Sequence, residues 1–152
     1  MVRRGLLAAG ALAGALLPAA PAMPSQAVQL ITASEAALPP GQTRGHDRSI
    51  TRAPTVTILS PAPSAGMIKS PVALKIRDET HGGAKIDLDS VLLTYVKQPA
   101  ISLTQRVKPF IAASGIDVED AEVPPGTHTI RVIVTDTDGR TNELDFTFSV
   151  GQ

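Results

Sequence analysis

From Pro54 onward, apolar and polar positions alternate in short runs broken by proline and glycine, the texture of a β-sandwich or barrel. Five runs read as strands. Thr55-Val56-Thr57-Ile58-Leu59 opens the series and is stopped by Ser60-Pro61-Ala62-Pro63, because proline cannot donate to a ladder. Val72, Leu74 and Ile76 alternate with Ala73, Lys75 and Arg77, which predicts one face in the core and one in water. Val91 to Val96 is apolar on both parities and reads as a central strand. Thr127 to Asp136 sets His128, Ile130, Val132 and Val134 on one face, and Glu143 to Val150 sets Leu144, Phe146, Phe148 and Val150 on one face. Between these last two lies Asp136-Thr137-Asp138-Gly139-Arg140, where Asp can bond its own backbone and Gly can take positive φ, so the pair predicts an antiparallel hairpin.

The rest of the chain has less pattern. Ile101 to Ile111 fits either a strand followed by a loop or a helical turn ending near Pro109, and Gly115 to Val118 starts a short strand that reaches Val123. Residues 28–53 carry Pro39-Pro40-Gly41 and a polar run through Ser49 with no sustained period, and read as a flexible N-terminal segment. At the start, Arg3 and Arg4 precede an apolar stretch from Gly5 to Leu17, the plan of a signal peptide over residues 1–27. That stretch falls short of the roughly 20 residues a membrane-spanning helix needs, so the mature chain is expected to carry no membrane span. Small residues offer cleavage at Ala20-Pro21-Ala22 or, as preferred here, after Ala27. The Arg pair lacks the wider context of a twin-arginine signal, and without cysteine there is no lipid-attachment site, which leaves a periplasmic or secreted location.

Charge and cysteine content narrow the classes. The chain has 14 basic and 14 acidic residues, and loss of Arg3 and Arg4 with the leader leaves a net charge of −2, which argues against nucleic acid as a partner. With no cysteine, an exported domain must be stabilised by apolar burial alone.

Taken in order, Ser60-Pro61, Ser70-Pro71-Val72, Ile86-Asp87-Leu88-Asp89-Ser90-Val91, Pro125-Gly126-Thr127-His128 and Val134 to Arg140 resemble the bacterial immunoglobulin-like domains of exported proteins. Those domains are similar in plan to fibronectin type III modules. The resemblance covers residues 54–150 and implies an all-β fold, an immunoglobulin-like antiparallel β-sandwich of about seven strands, with a role in adhesion, spacing or binding and no catalytic residues to carry over. The chain has no cystine and no tryptophan, so it departs from the antibody pattern. In such sandwiches a corner tyrosine often bonds nearby backbone. His128 is expected to fill that corner, its ring packed and one nitrogen bonded to a carbonyl.

Two loops hold the candidate metal chemistry. Asp136 and Asp138 look superficially like a calcium loop, but an EF-hand needs a bidentate Glu at its twelfth position, and counting from Asp136 reaches Thr147. A looser calcium site, built from Asp136, Asp138 and acids of another loop, stays open. Asp78, Glu79 and His81, in Asp78-Glu79-Thr80-His81-Gly82-Gly83, gather two acids and an imidazole, yet no second His stands at a ligand-like spacing, and the same residues suit a solvated loop. In an immunoglobulin-like order these two loops share one end of the sandwich. His128 cannot join the acids of the turn, because a strand of roughly 25 Å intervenes.

Arg106 and Lys108 read as ordinary solvated charges, and one tyrosine without any tryptophan makes a poor stacking platform. No G-x-S-x-G elbow, cysteine nucleophile or phosphate loop occurs, and His46, His81 and His128 are far apart in sequence. The expected function is a non-catalytic, cofactor-free interaction module that meets a protein or glycan partner in the cell envelope through loops or a sheet edge. The alternative is a calcium- or metal-dependent adhesion or carbohydrate-binding module. A third reading, an enzyme, requires His81 and His128 to converge with an acid.

Overall fold

The structure, a computed structural model, describes residues 27–44 and 52–152. The signal-peptide reading of residues 1–26, and His46 with its neighbours, lie outside the described residues. In chain order the elements are β1 (Val28–Gln29), α1 (Ala33–Ala36), β2 (Thr55–Ser60), β3 (Met67–Ile68), β4 (Val72–Glu79), β5 (Leu92–Tyr95), β6 (Ile101–Ser102), α2 (Thr104–Val107), β7 (Ile111–Ala112), β8 (Gly115–Glu122), β9 (Gly126–Thr135) and β10 (Thr141–Val150), with 3₁₀ turns at Leu88–Ser90 and Lys108–Phe110. Among them no helix is long and apolar enough to cross a membrane.

The strands form the expected sandwich of two sheets. One runs β1-β8-β4-β2 with β7 also on β8, and the other runs β3-β10-β9-β5-β6. The sheets are not wholly antiparallel, since two-residue β1 pairs in parallel with β8 and two-residue β3 pairs in parallel with β10. The hairpin falls where the turn chemistry puts it, Thr135 opposite Thr141 and Gly126 opposite Val150. The ambiguous middle contains both alternatives in sequence, β6 first and then α2 with its 3₁₀ extension.

Alternation decides which side chains are buried. Val72, Leu74 and Ile76 on β4, Ile116 and Val118 on β8, Leu93 and Tyr95 on β5, and Ile130, Val132 and Val134 on β9 all join one core. Each fully buried aliphatic side chain of this kind contributes about 1.5–3 kcal/mol. β5 lies inside its sheet as expected, but only one of its faces is covered, because Leu92 stays 46% exposed. Gly115 lets β8 start tight against β4: its φ is +131°, and a Cβ there would lie 1.9 Å from the Ile76 carbonyl oxygen.

The largest departure from the sequence reading is the segment expected to be a flexible tether. Residues 28–44 are part of the fold, so the domain begins near Val28 instead of Pro54. Leu30 and Ile31 are buried in the core at 1% and 2% exposure. Thr32 and Glu35 close a capping box over α1, which satisfies backbone donors that so short a helix otherwise leaves open. Arg106 then fastens the segment, its guanidinium donating to Leu30 O at 2.7 Å and to both carboxylate oxygens of Glu35 at 2.9 and 2.6 Å. The hydrogen bond from Arg106 is the main reason the Glu35 carboxyl titrates down at about 2. Lys97 Nζ donates to the carbonyls of Ala36 and Leu38, both at 2.9 Å, at the C-terminal end of α1, where a cation is favoured. Arg106 is therefore a fastener and not the solvated charge expected.

Candidate functional site

The hairpin turn is built around one carboxylate. Asp136 is only 2% exposed. Its Oδ1 accepts from the backbone N–H groups of Asp138 (3.0 Å) and Arg140 (2.9 Å), and its Oδ2 accepts from Arg140 Nε at 2.9 Å. Burial works to raise the Asp136 pKa, but the Arg140 N–H, the Arg140 guanidinium and the Asp138 N–H together outweigh it and hold the carboxyl below its usual range. Gly139 completes the turn at φ +77°, with its N–H on the Asp136 carbonyl at 2.9 Å.

The second loop is laced to the first, as the expected strand order requires. Thr137 N donates to Lys85 O at 2.8 Å, Lys85 N donates to Thr137 Oγ1 at 3.2 Å, and Asp87 N donates to Thr135 O at 2.9 Å. The Arg140 guanidinium spans both loops, reaching Asp138 and the His81 carbonyl oxygen. The two loops thus form one rim. Its exposed positions include His81, Gly82, Gly83, Leu88, Thr137 and Asp138.

The five candidate metal residues do not converge. Asp136 already has three donors, Asp138 is paired with Arg140, and His81 Nε2 lies 2.9 Å from Thr55 Oγ1. Glu79 is exposed on the last rung of β4, opposite Thr55. Among the described residues no group of three or more His, Asp or Glu is arranged to hold an ion. The two loops share one end as expected, but the Arg140 guanidinium is bound to the acids of the turn, Asp136 and Asp138.

Asp78 differs from all of these. It follows Val72, Leu74 and Ile76 on the inward parity of β4, is 6% exposed, and among the described residues neither carboxylate oxygen has a hydrogen-bond partner. Burial alone raises its pKa to about 6. Asp78, expected in the loop, lies in β4, and the parity that places Val72, Leu74 and Ile76 inward extends to it.

At the other end of the sandwich His128 fills its corner. It is 1% exposed, with Nε2 2.8 Å from Pro124 O and Nδ1 2.8 Å from the Tyr95 hydroxyl. A carbonyl can only accept, so Nε2 carries the proton, Nδ1 is the acceptor, and Tyr95 donates to a neutral imidazole. Burial is the largest influence on its pKa and lowers it, and nearby Lys97 acts in the same direction. Sequence reasoning found the carbonyl partner but not Tyr95, which stands 33 residues away. His81 belongs to the rim and His128 to the opposite corner, so these two histidines do not converge with an acid in one cleft.

No family model matches the chain, and no curated protein matches it. Among solved structures, an endo-beta-1,4-mannanase double mutant of Cellulomonas fimi is similar, with 23% sequence identity and a TM-score of 0.36. The likeness covers 64% of this chain and 18% of that one, so the chain spans less than a fifth of the enzyme's length, and at this TM-score it bears on neither family nor activity.

Proposed function

We propose that this chain is an exported, non-catalytic interaction module of the bacterial immunoglobulin-like kind, and that it meets a protein or glycan partner in the cell envelope through the rim. The basic and apolar plan of residues 1–27 supports export, and the two-sheet sandwich is compatible with the family resemblance. The observation that carries the binding role is the composition and bracing of the rim. Two polar loops are tied to each other by backbone hydrogen bonds, Leu88 stands 43% exposed on the segment leading into β5, and Leu92, the first residue of β5, stands 46% exposed. A braced loop loses little conformational freedom on binding, and apolar side chains among polar neighbours suit a modest protein interface.

The test compares capture from envelope extract by the intact chain and by Leu88→Asp and Leu92→Asp variants. The control is Leu59→Asp, at an exposed position on β2. The reading expects a specific band that is lost with either rim substitution and kept with the control. Equal capture by all four proteins, or none by the intact chain, would overturn it.

A further inference from the structure

Asp78 is the last inward residue of β4. Beyond it, pairing with β2 ends at Thr55 opposite Glu79, and pairing with β8 ends at Arg77 opposite Gly115. One more bond, from Asp78 N to Ser114 O at 3.0 Å, closes the corner. Opening this end therefore breaks only the final rungs and leaves the main ladders intact, as local fraying does in general. An uncharged acid can stay in such a corner at modest cost. A carboxylate without a partner cannot, because a buried charge must be paired or hydrated.

We propose that Asp78 is a proton latch for the rim end of the sandwich: uncharged, it stays in the core row and keeps the corner between β2, β4 and residues 112–115 shut; ionised, it draws in water and the corner opens. This inference rests on the fold and not on the identity of any partner.

Among the described residues the surrounding elements supply no counter-charge. β2 has no charged residue, and residues 111–116 have none. Arg77 and Glu79 alternate to the outer face of β4 and are exposed, as are Arg52 before β2 and Asp117 on β8. In the rim, Arg140 is bound to Asp136 and Asp138, Lys85 is exposed, and the His81 ring is on Thr55. The inward residues of β9 toward this end, Val132 and Val134, are apolar.

The sign follows from the direction of the shift. A carboxyl raised from 3.8 to about 6 favours the closed form fully below about pH 4 and loses that preference as pH rises to about 6, with little change above. Two pKa units correspond to a roughly hundredfold change in the opening equilibrium. Neutral, buried His128 works in the opposite sense, since its depressed pKa removes stability as pH falls, so the two ends of the sandwich are distinguishable.

Hydrogen exchange of the full chain between pH 4 and pH 7, corrected for intrinsic chemistry, reads the latch directly. Amides of residues 53–58, 77–84 and 111–116 should open roughly a hundredfold more at pH 7 than at pH 4, while those of β9 around His128 should not. Asp78→Asn and Asp78→Leu should flatten the profile. A flat profile in the unsubstituted chain, an undiminished rise in both variants, or a parallel rise in β9 would each overturn the proposal. If neither variant folds, the carboxyl carbon shift of Asp78 in the intact chain decides: a midpoint near 6 supports the latch, and one near 4 removes it.

Discussion

Asp78 and Asp136 are the same side chain, buried at the same end of the same sandwich, and they are in opposite electrostatic situations. Asp136 receives three hydrogen bonds, one of them from the Arg140 guanidinium; among the described residues Asp78 receives none. The difference comes from backbone context. Asp136 sits where the chain reverses, so N–H groups of the following residues converge on its carboxylate, and Arg140 at i+4 folds back to it. Asp78 sits inside a regular strand, where backbone donors lie in the plane of the sheet and the side chain stands perpendicular to it among apolar neighbours. Burial thus says little about an acid's role until its donors are counted.

The largest expected effect separates the pair. Asp136→Ala should strip the turn of its organiser and leave the Arg140 guanidinium without its inner partner, lowering the melting temperature by on the order of 10 °C and loosening both rim loops. A shift of only a degree or two in thermal denaturation would mean that Asp136 is not the centre of the rim. Asp78→Asn should act the other way. At pH 7 it should stabilise the domain by up to about 3 kcal/mol, the value of two pKa units, and at pH 4 it should change little. Denaturant unfolding at both pH values checks this, and a variant less stable than the parent at pH 7 would break the contrast. The smallest expected effect concerns ions. Because the acids of the rim are bound to Arg140 or set apart, Ca²⁺ or Zn²⁺ should leave the melting temperature unchanged. A saturable upward shift would restore the metal-dependent reading.

The same contrast explains what could be read from the sequence. β9, β10 and their turn were legible because alternation and Asp-Gly chemistry are local, and the meeting of the two rim loops followed from strand order. The inward place of Asp78 was open to the same parity argument that placed Ile76. Beyond the Thr32–Glu35 capping box, residues 28–44 were not legible, because the rest of what orders them is remote: Arg106 lies 76 residues from Leu30, and Arg131 lies 89 from Gln42. A segment whose fully buried residues are two adjacent positions, Leu30 and Ile31, shows no period. Metal chemistry was read from acids close in sequence. In the turn, Arg140 pairs with both Asp136 and Asp138.

Residue-specific titration of the aspartate carboxyl carbons by NMR tests the central contrast in one experiment. Asp78 should titrate near pH 6, and Asp136 should titrate below the ordinary aspartate value of 3.8. Two curves that coincide near pH 4 would contradict the account, because they would place both acids in the same environment.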